Sequence, residues 1–359
     1  MLAALGLEHG HHLSMEKVDP SPPGPHDVVV RVGASGVCHT DVAVLTGHLP
    51  VPLPVVLGHE GAGVVEWVGS EVTSVGIGDR VVGSVGAVCG NCWHCTRQMT
   101  HLCSRSRELT SEPRVVRAGG EQVPAFVGLG SFAEAMTVHE ASIVPVRTDV
   151  PDEQLALIGC AITTGLGAVF NTAKVTPGAS VVVIGCGGVG QAVVQGARIA
   201  GAARIIAVDP SETKRAAAIG FGATDAIDPK SSDVLDEVRS MTGGRGADFT
   251  FEVVGSPVTI QQAWDLARKS GTVSLVGMPA YDSTITMSAF ALASDDKRLC
   301  GSLYGGTQAR RDIPMIVELV ETGRLNLGGM ITRRLPLSEV NDAIRALEAG
   351  EQIRSVLVS

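Results

Sequence analysis

The chain has 359 residues, of which 45% are hydrophobic and 18% are charged, and its formal net charge is −9 at pH 7. This length suits roughly two domains, and the acidic balance argues against nucleic-acid binding, which needs clustered positive charge. No apolar run looks as long as a membrane span, and the first residues lack the features of a secretory signal, so we expect a cytoplasmic protein without a membrane partner.

The first part of the chain is predicted to be all-β. Short segments rich in β-branched residues occupy positions 28–32, 63–68 and 79–83, and turns rich in glycine and proline separate them. A histidine cluster near the start is interpreted as a solvated turn and not as a metal site: His9, His11 and His12.

Four cysteines follow in the spacing C-x2-C-x2-C-x7-C: Cys89, Cys92, Cys95 and Cys103. Four thiolates this close together can complete a tetrahedron around one Zn²⁺, which leaves no coordination position for a substrate. We therefore interpret the segment 86–104 as a lobe that binds a structural zinc. Disulfides or an iron–sulfur cluster are the alternatives, but a cytosolic sequence favours reduced thiols.

Strand and helix patterns alternate after residue 160, which predicts an α/β domain with a doubly wound parallel sheet. A buried strand at 181–184 leads into Gly185-Cys186-Gly187-Gly188-Val189-Gly190, and an alanine-rich helix follows. The motif G-x-G-x-x-G in this context is typical of a turn that places a pyrophosphate at a helix N-terminus. Asp209 ends the next strand and would accept hydrogen bonds from a ribose, which favours NAD over NADP. Lys214 could reach the same ribose, or could be a solvated helix lysine.

Two cysteines and a histidine that lie far apart in the sequence suggest a second metal site. Cys38, His59 and Cys160 each stand at a break between patterned segments, where loops often carry functional groups. Two thiolates and one imidazole are the open ligand set of a catalytic zinc. Each residue alone is equally well explained as an ordinary buried cysteine or histidine.

The chain resembles the zinc-dependent medium-chain alcohol dehydrogenases over nearly its whole length. The resemblance is carried by the four-cysteine lobe, the glycine-rich turn and five shorter stretches: 36–41, 58–65, 75–81, 159–160 and 350–354. It implies a catalytic domain with a GroES-like β-barrel core, formed by 1–161 and 304–359, and a Rossmann NAD-binding domain, 162–303. It also implies two Zn²⁺ per subunit and reversible hydride transfer between NAD(H) and a small alcohol or carbonyl substrate.

The family pattern assigns roles to individual residues. The catalytic zinc would be held by a set that includes one transient ligand: Cys38, His59, Cys160 and, transiently, Glu60. Asp41 would orient His59 by accepting its second N–H, and the Thr40 hydroxyl would contact the substrate oxygen and pass on its proton. The other matched positions lie near the cofactor: His39 and Arg354 at the pyrophosphate, and Thr164, Val189, Val254, Val276 and Met278 at the nicotinamide.

Two positions depart from the family pattern. Many members have a histidine that completes a proton relay where this chain has Ala43, so the proton would leave through water, His39 or His48. Val85 stands where relatives often have an aromatic residue, and the smaller side chain should widen the substrate slot. We therefore expect bulky primary or aromatic alcohols, aldehydes or ketones. Besides Thr40, the predicted walls of the slot are apolar residues that could equally be plain core: Leu49, Val85, Phe126, Met278 and Leu303.

Several alternatives stay open. The stretches 312–314 and 323–327 resemble nicotinoprotein members, which keep NAD bound throughout turnover. A thiol-adduct (S-hydroxymethyl) formaldehyde dehydrogenase shares both zinc sites, but it needs a basic subsite, for which the candidates are His94, Arg97 and Arg114. A polyol dehydrogenase and a non-catalytic zinc- and NADH-binding protein are further alternatives. The resemblance also suggests a homodimer, or a tetramer, assembled through an edge strand near 297–302.

Overall fold

A computed structural model describes residues 1–10, 12–350 and 352–358. His11 of the histidine cluster and Glu351 of the stretch 350–354 lie outside the described residues. The chain divides into two compact units: the first comprises Met1–Cys160 and Gln308–Ser359, and the second is Ala161–Thr307.

The first unit is built on β-sheets, as the β-branched segments predict. Its largest sheet runs in the order Ile143–Val146, Arg80–Gly83, Glu60–Val68, Asp27–Gly36, Arg354–Val358 and Ile331–Pro336, and Ala135–His139 also pairs with Asp27–Gly36. One three-stranded sheet has the order Ser14–Lys17, Leu2–Gly6 and Val55–Val56, and another has the order Asp19–Pro20, Pro113–Val116 and Gln122–Pro124. The last strands of the chain therefore complete a sheet that begins near its start.

Short helices connect these strands. The α-helices of the first unit are His39–Leu45, Ser106–Thr110, Asp152–Leu157, Ala309–Glu321 and Val340–Glu348. Its 3₁₀ turns are Cys95–Arg97, Thr100–Leu102, Phe126–Gly128, Glu140–Ser142, Gly328–Met330 and Leu337–Glu339. The helix Ala309–Glu321 contains Pro314, and Asp312 Oδ2 accepts the Gln308 N–H at its N-terminus (3.0 Å).

The second unit confirms the predicted doubly wound parallel sheet. Its strands lie in the order Asp225–Ile227, Arg204–Val208, Ser180–Ile184, Ala247–Glu252, Ala267–Leu275 and Arg298–Gly301, all of them parallel. The helices between them are Gly188–Ile199, Glu212–Phe221, Val234–Met241, Pro257–Leu266 and Ala289–Ser294. Numbered along the chain, this is the order 3-2-1-4-5-6, whose switch point lies between Ser180–Ile184 and Ala247–Glu252. Ligands of such sheets bind at the carboxyl ends of the strands at that point.

A continuous helical segment, Asp152–Ala173, contains two π-helical turns, Ile158–Ile162 and Ala168–Ala173, on either side of Thr163–Gly167. Its 22 residues, with a mean hydropathy of 1.6 in the most apolar window, are long and apolar enough to cross a membrane, and 72% of that window is buried in the fold. The sequence analysis expected no apolar run as long as a membrane span, and by length and composition this segment does not meet that expectation. A single segment that is mostly buried is weak evidence for a membrane span, because core helices have the same composition.

One cation proposed for a basic subsite is part of the buried core. Arg114 is 4% exposed, and its Nη1 donates to Asp27 Oδ2 at 2.8 Å. Gly24 N donates to the same oxygen at 2.7 Å. A guanidinium held in this way stabilises the fold and is not presented to a substrate, so the structure does not support Arg114 as a subsite residue.

Replacing Arg114 with methionine (Arg114→Met) should lower the free energy of unfolding by about 3 kcal/mol, because it leaves the Asp27 carboxylate buried without its counter-ion. Urea denaturation measures the change. The matched control is Arg31→Met, which removes an exposed ion pair with Glu66 and should cost less than about 1 kcal/mol. Equal losses in the two variants would contradict the assignment of Arg114 to the core.

Candidate functional site

The buried carboxylate of Asp41 joins two segments that are distant in sequence. Asp41 Oδ2 accepts the Cys38 N–H, and Asp41 Oδ1 accepts the Gly58 N–H, each at 3.1 Å. His59 Nδ1 lies 3.1 Å from Asp41 Oδ1, and the imidazole must be the donor because a carboxylate can only accept. Asp41 therefore fixes the orientation of His59 and leaves the other ring nitrogen, Nε2, to bind something else.

Four side chains converge at this point, and their ligand atoms all lie within 4.8 Å of one another: Cys38, His59, Glu60 and Cys160. His59 is 1% exposed, and its buried Nε2 has no hydrogen-bond partner among the described residues. A buried polar atom without a partner is costly unless a ligand satisfies it. Two sulfurs, an imidazole nitrogen and a carboxylate oxygen form a donor set that fits Zn²⁺.

The acid–base properties of these groups also suit a metal. Hydrogen bonding with Cys160 holds the pKa of Cys38 well below its usual range; burial opposes this effect, and contact with His59 adds to it. Burial alone lowers the pKa of His59, but the charge and hydrogen bond of Asp41, together with a smaller effect of Cys38, raise it to about 10. A metal that binds at His59 Nε2 therefore displaces a proton, as is general for metal sites of this kind.

Cys160 reaches the cluster from the π-helical turn Ile158–Ile162, a form of helix often found at functional sites. Glu60 is fully buried at the start of the strand Glu60–Val68, and its Oε2 pairs with Arg354 Nη2. Burial lowers the pKa of the Arg354 guanidinium. Arg354, expected near the cofactor pyrophosphate, thus lies beside the candidate metal ligands.

Only part of the apolar wall predicted for the substrate slot is in contact with this cluster of metal-ligand candidates. Phe126 packs edge-on against the His59 ring, with centroids 5.5 Å apart and planes at 86°. Leu49 is half-buried and packs against the apolar cluster that contains Phe126. Val85 is half-buried, while Met278 and Leu303, in the second unit, are 63% and 51% exposed. Of these residues, the described contacts connect Phe126 directly to the cluster.

Thr40 lies in the first turn of the helix His39–Leu45, with its Oγ1 3.5 Å from Cys38 Sγ. His39, beside it, is exposed. Ala43 of the same helix carries no proton acceptor. His48 is exposed, and its Nδ1 lies 2.6 Å from Thr46 Oγ1. The described hydrogen bonds do not connect His48 to Thr40.

The four-cysteine lobe forms a second cluster, in which all four sulfurs lie within 4.8 Å of one another. The Sγ atoms of Cys89 and Cys95 are 3.9 Å apart, well beyond a disulfide bond, and none of the eight cysteines, all of which are described, forms a disulfide. The backbone N–H of Cys95 is the main cause that lowers the pKa of Cys92 to about 5. The donor set fits a closed, structural Zn²⁺.

In the second unit, the glycine-rich turn joins Ser180–Ile184 to the helix Gly188–Ile199. Asp209 accepts from Cys186 N through Oδ2 and from Ser211 N through Oδ1, each at 2.8 Å. Gly190 is required by close approach, since a Cβ there would lie 1.9 Å from Gly185 O. A Cβ on Gly187 would meet open space, which leaves room for a phosphate beside the helix N-terminus. This cradle fits a dinucleotide.

The other predicted cofactor residues of the second unit lie on the elements next to this turn and on two loops of the same sheet. The helix that carries Thr164 packs against the helix that begins with Gly188 and Val189. Lys214 is half-buried, and its carbonyl accepts from Gln191 Nε2 at 2.9 Å. Val254 and Met278 are exposed, and Val276 is half-buried.

Two features of the site were missed by the sequence analysis. The Glu60–Arg354 pair joins residues that are 294 positions apart, and no local pattern signals it. The second is Glu252, which is fully buried at the end of the strand Ala247–Glu252 and which the sequence analysis does not single out. Its charge within a buried strand is a signal that could have identified it.

Asp41→Asn should weaken zinc binding at the Cys38–His59–Cys160 cluster by 10- to 100-fold, roughly, because the partner that orients His59 is lost. Zinc retained after dialysis against a weak chelator, measured by atomic absorption, should fall from about two to about one per chain. The matched control, Asp79→Asn, alters an exposed carboxylate that, among the described residues, accepts only the Gly76 N–H. Loss of both zincs from D41N, or retention of both, would contradict this role.

Comparison with known proteins shows the same organisation. Residues 24–148 match the family described as alcohol dehydrogenase GroES-like domain, and residues 188–322 match zinc-binding dehydrogenase. An S-(hydroxymethyl)glutathione dehydrogenase from Synechocystis sp. is 38% identical over 99% of this chain and 98% of its own length.

Solved structures are equally similar. An alcohol dehydrogenase zinc-binding domain protein from Burkholderia ambifaria has a TM-score of 0.94 and 36% identity, over 99% of this chain and 98% of its own. Benzyl alcohol dehydrogenase from Acinetobacter calcoaceticus has a TM-score of 0.93 and 32% identity, with the same coverage. Because these similarities span almost the whole chain and include both domains, this protein belongs to the zinc-dependent medium-chain alcohol dehydrogenases.

Proposed function

We propose that this protein oxidises apolar primary alcohols, aromatic ones included, and reduces the corresponding carbonyl compounds, with NAD as the hydride carrier. The observation that carries the proposal is the buried cluster of Cys38, His59 and Cys160, in which His59 Nε2 has no partner among the described residues and Phe126 packs against the ring. When bound there, zinc would act as a Lewis acid on the substrate oxygen, and NAD would exchange the hydride.

The chain's own residues position the substrate and move its proton. Cys38, His59 and Cys160 would hold the metal, Glu60, which pairs with Arg354, would be a transient further ligand, and Asp41 keeps the His59 ring oriented. The Thr40 hydroxyl, beside Cys38, accepts the proton of the alcohol and passes it on. Since Ala43 cannot continue this path and the described hydrogen bonds do not connect His48 to Thr40, the proton leaves through water or through His39.

The glycine-rich turn and its neighbours hold the cofactor. Gly185, Gly187, Gly188 and Gly190 leave room for the pyrophosphate, and Asp209 supports the turn and carries negative charge at the ribose end, which supports a preference for NAD over NADP. This role makes 162–303 the NAD-binding domain and the remainder, 1–161 and 304–359, the catalytic domain, with the structural zinc in the lobe at 86–104.

Apolar surroundings support the choice of substrate. The segment 49–54 reads Leu-Pro-Val-Pro-Leu-Pro, and its Leu49, Val51 and Leu53 pack against the same apolar cluster as Phe126. A hydrocarbon or aromatic group bound along such a surface is stabilised by burial of apolar area.

The thiol-adduct formaldehyde dehydrogenase, an activity named for relatives such as that of Synechocystis sp., receives less support from the contacts. Its substrate carries carboxylates and needs cations to bind them. Arg114 is buried against Asp27, and Arg97 stacks over the Trp93 ring at 4.4 Å. His94 Nδ1 is buried in the lobe.

With free NAD⁺, benzyl alcohol should give steady NADH production, and its kcat/KM should exceed that of S-(hydroxymethyl)glutathione by about tenfold or more, the difference expected when charged groups lack partners. Absorbance of NADH measures both rates. A chelator that removes zinc should abolish the rate while NADH binding persists.

A higher kcat/KM for S-(hydroxymethyl)glutathione than for benzyl alcohol would favour the thiol-adduct activity. Protein that already contains NAD(H), and turns over only when an aldehyde acceptor is added, would be a nicotinoprotein. Absence of turnover with either alcohol, in protein that holds both zincs, would contradict the proposal.

We propose further that the protein forms a dimer through the strand Arg298–Gly301, which lies at an edge of the sheet of the second unit. An edge strand with unpaired backbone groups is suited to pair with a second copy. Since Ser302 N donates to Leu275 O within the sheet, the alternation of the strand directs the N–H of Gly301 to the free edge. Gly301→Pro, which removes this donor at a position where a Cβ meets open space, should shift the mass measured by sedimentation from dimer to monomer. An unchanged mass would contradict this interface, and a tetramer in the wild type would require a second one.

The expected cytoplasmic location is likewise a proposal. It is supported by eight cysteines without a disulfide, since zinc-binding thiols need a reducing compartment. Cell fractionation tests it.

A further inference from the structure

Glu252 makes an unusual set of hydrogen bonds at the switch point of the parallel sheet. Its side chain is fully buried, and Oε1 accepts three donors, each at 2.8 Å: Val254 N, Gly255 N and Thr259 Oγ1. The first two belong to the loop that follows the strand, and the third belongs to the helix Pro257–Leu266. One carboxylate oxygen therefore fixes the loop relative to the next helix.

The backbone carbonyl of Glu252 holds a second loop. It accepts from Val276 N at 2.8 Å and from Gly277 N at 2.9 Å, where the neighbouring strand Ala267–Leu275 ends. The two loops almost touch, because a Cβ on Gly277 would lie 2.2 Å from Gly255 N. A shift of one loop must therefore move the other.

The same residue is close to the glycine-rich turn. Glu252 pairs with Ile184, the residue before Gly185, and a Cβ on Gly185 would lie 2.7 Å from Val254 Cγ2. The turn thus contacts the loop that follows Glu252, but its Cys186 N–H donates to Asp209 and not to the Glu252 carboxylate. Both the turn and the loop lie at the carboxyl ends of strands, where a parallel sheet of this order binds its ligand.

A buried carboxylate is not the choice that stability alone would favour. Oε2 of Glu252 is buried without a hydrogen-bond partner among the described residues, which carries a cost in stability. Because neither oxygen is exposed, the carboxylate does not reach a ligand directly. Its role must be exerted through the loops that it holds.

We propose that Glu252 is a positioning residue for the nicotinamide end of the cofactor, acting through the loops 253–255 and 276–278. This inference rests on the proposed function, in which Val254, Val276 and Met278 lie around the nicotinamide. It predicts that Glu252 matters for the nicotinamide and not for the adenosine and pyrophosphate of the same cofactor.

The test compares two ligands by calorimetry, NADH and ADP-ribose, which lacks the nicotinamide. Glu252→Ala should raise the Kd for NADH about tenfold and leave that for ADP-ribose within about twofold, because two loop N–H groups lose a charged acceptor. Glu252→Gln retains an oxygen at this position and should restore most of the affinity for NADH.

Thr250→Val is the matched control. Thr250 is fully buried in the same strand, and its Oγ1 donates to Ala263 O of the same helix at 2.9 Å, away from the two loops. It should reduce thermal stability and leave the ratio of the two Kd values unchanged. An equal change in that ratio in Thr250→Val and Glu252→Ala would overturn the proposal, as would equal weakening of both ligands in Glu252→Ala.

If Glu252→Ala does not fold, Glu252→Gln and Thr259→Val take its place. Each weakens one part of the hydrogen-bond set, and each should raise the Kd for NADH about threefold without changing that for ADP-ribose. Unchanged NADH affinity in both variants would overturn the proposal. Wild-type protein that neither binds NADH nor oxidises an alcohol would instead defeat the proposed function itself.

Discussion

The site depends on one buried carboxylate. Asp41 accepts hydrogen bonds from Cys38, Gly58 and His59. It thereby joins the N-terminus of the helix His39–Leu45 to the residues that precede the strand Glu60–Val68. A buried charge is tolerated only when such donors surround it, so the fold must keep these segments together or leave the charge unsatisfied. The constraint serves the chemistry as well as stability, because the imidazole that donates to Asp41 must present its other nitrogen to the metal.

Other buried carboxylates of the chain also have charged or hydrogen-bonding partners. Glu60 is paired with Arg354, and Asp27 with Arg114, whereas Asp209 and Glu252 are satisfied largely by backbone N–H groups. Glu252 fixes the loop that follows its own strand, whereas the two pairs with arginine join segments that are distant in the sequence.

The sequence predicted the α/β class, the parallel sheet and the position of several strands, because apolar periodicity and glycine-rich turns are local signals. It also predicted that the four cysteines of the lobe form one cluster, because they lie close together in the sequence. It could not predict contacts between residues such as Glu60 and Arg354, which only the completed sheet brings together. Nor could it place Met278 or Leu303 against a substrate, since wall positions follow from packing and not from pattern. Arg114 was a candidate to bind an anionic substrate, but the structure shows that it pairs with Asp27 in the core.

The lobe differs from every other part of the chain in how local its organisation is. Its four sulfurs come from Cys89 to Cys103, and its two short turns, Cys95–Arg97 and Thr100–Leu102, lie between them. Where ligands are so close in sequence, metal binding and local folding are one event. The lobe can therefore be gained, lost or redesigned in evolution as a self-contained insertion, while the sheets on either side retain their strand order.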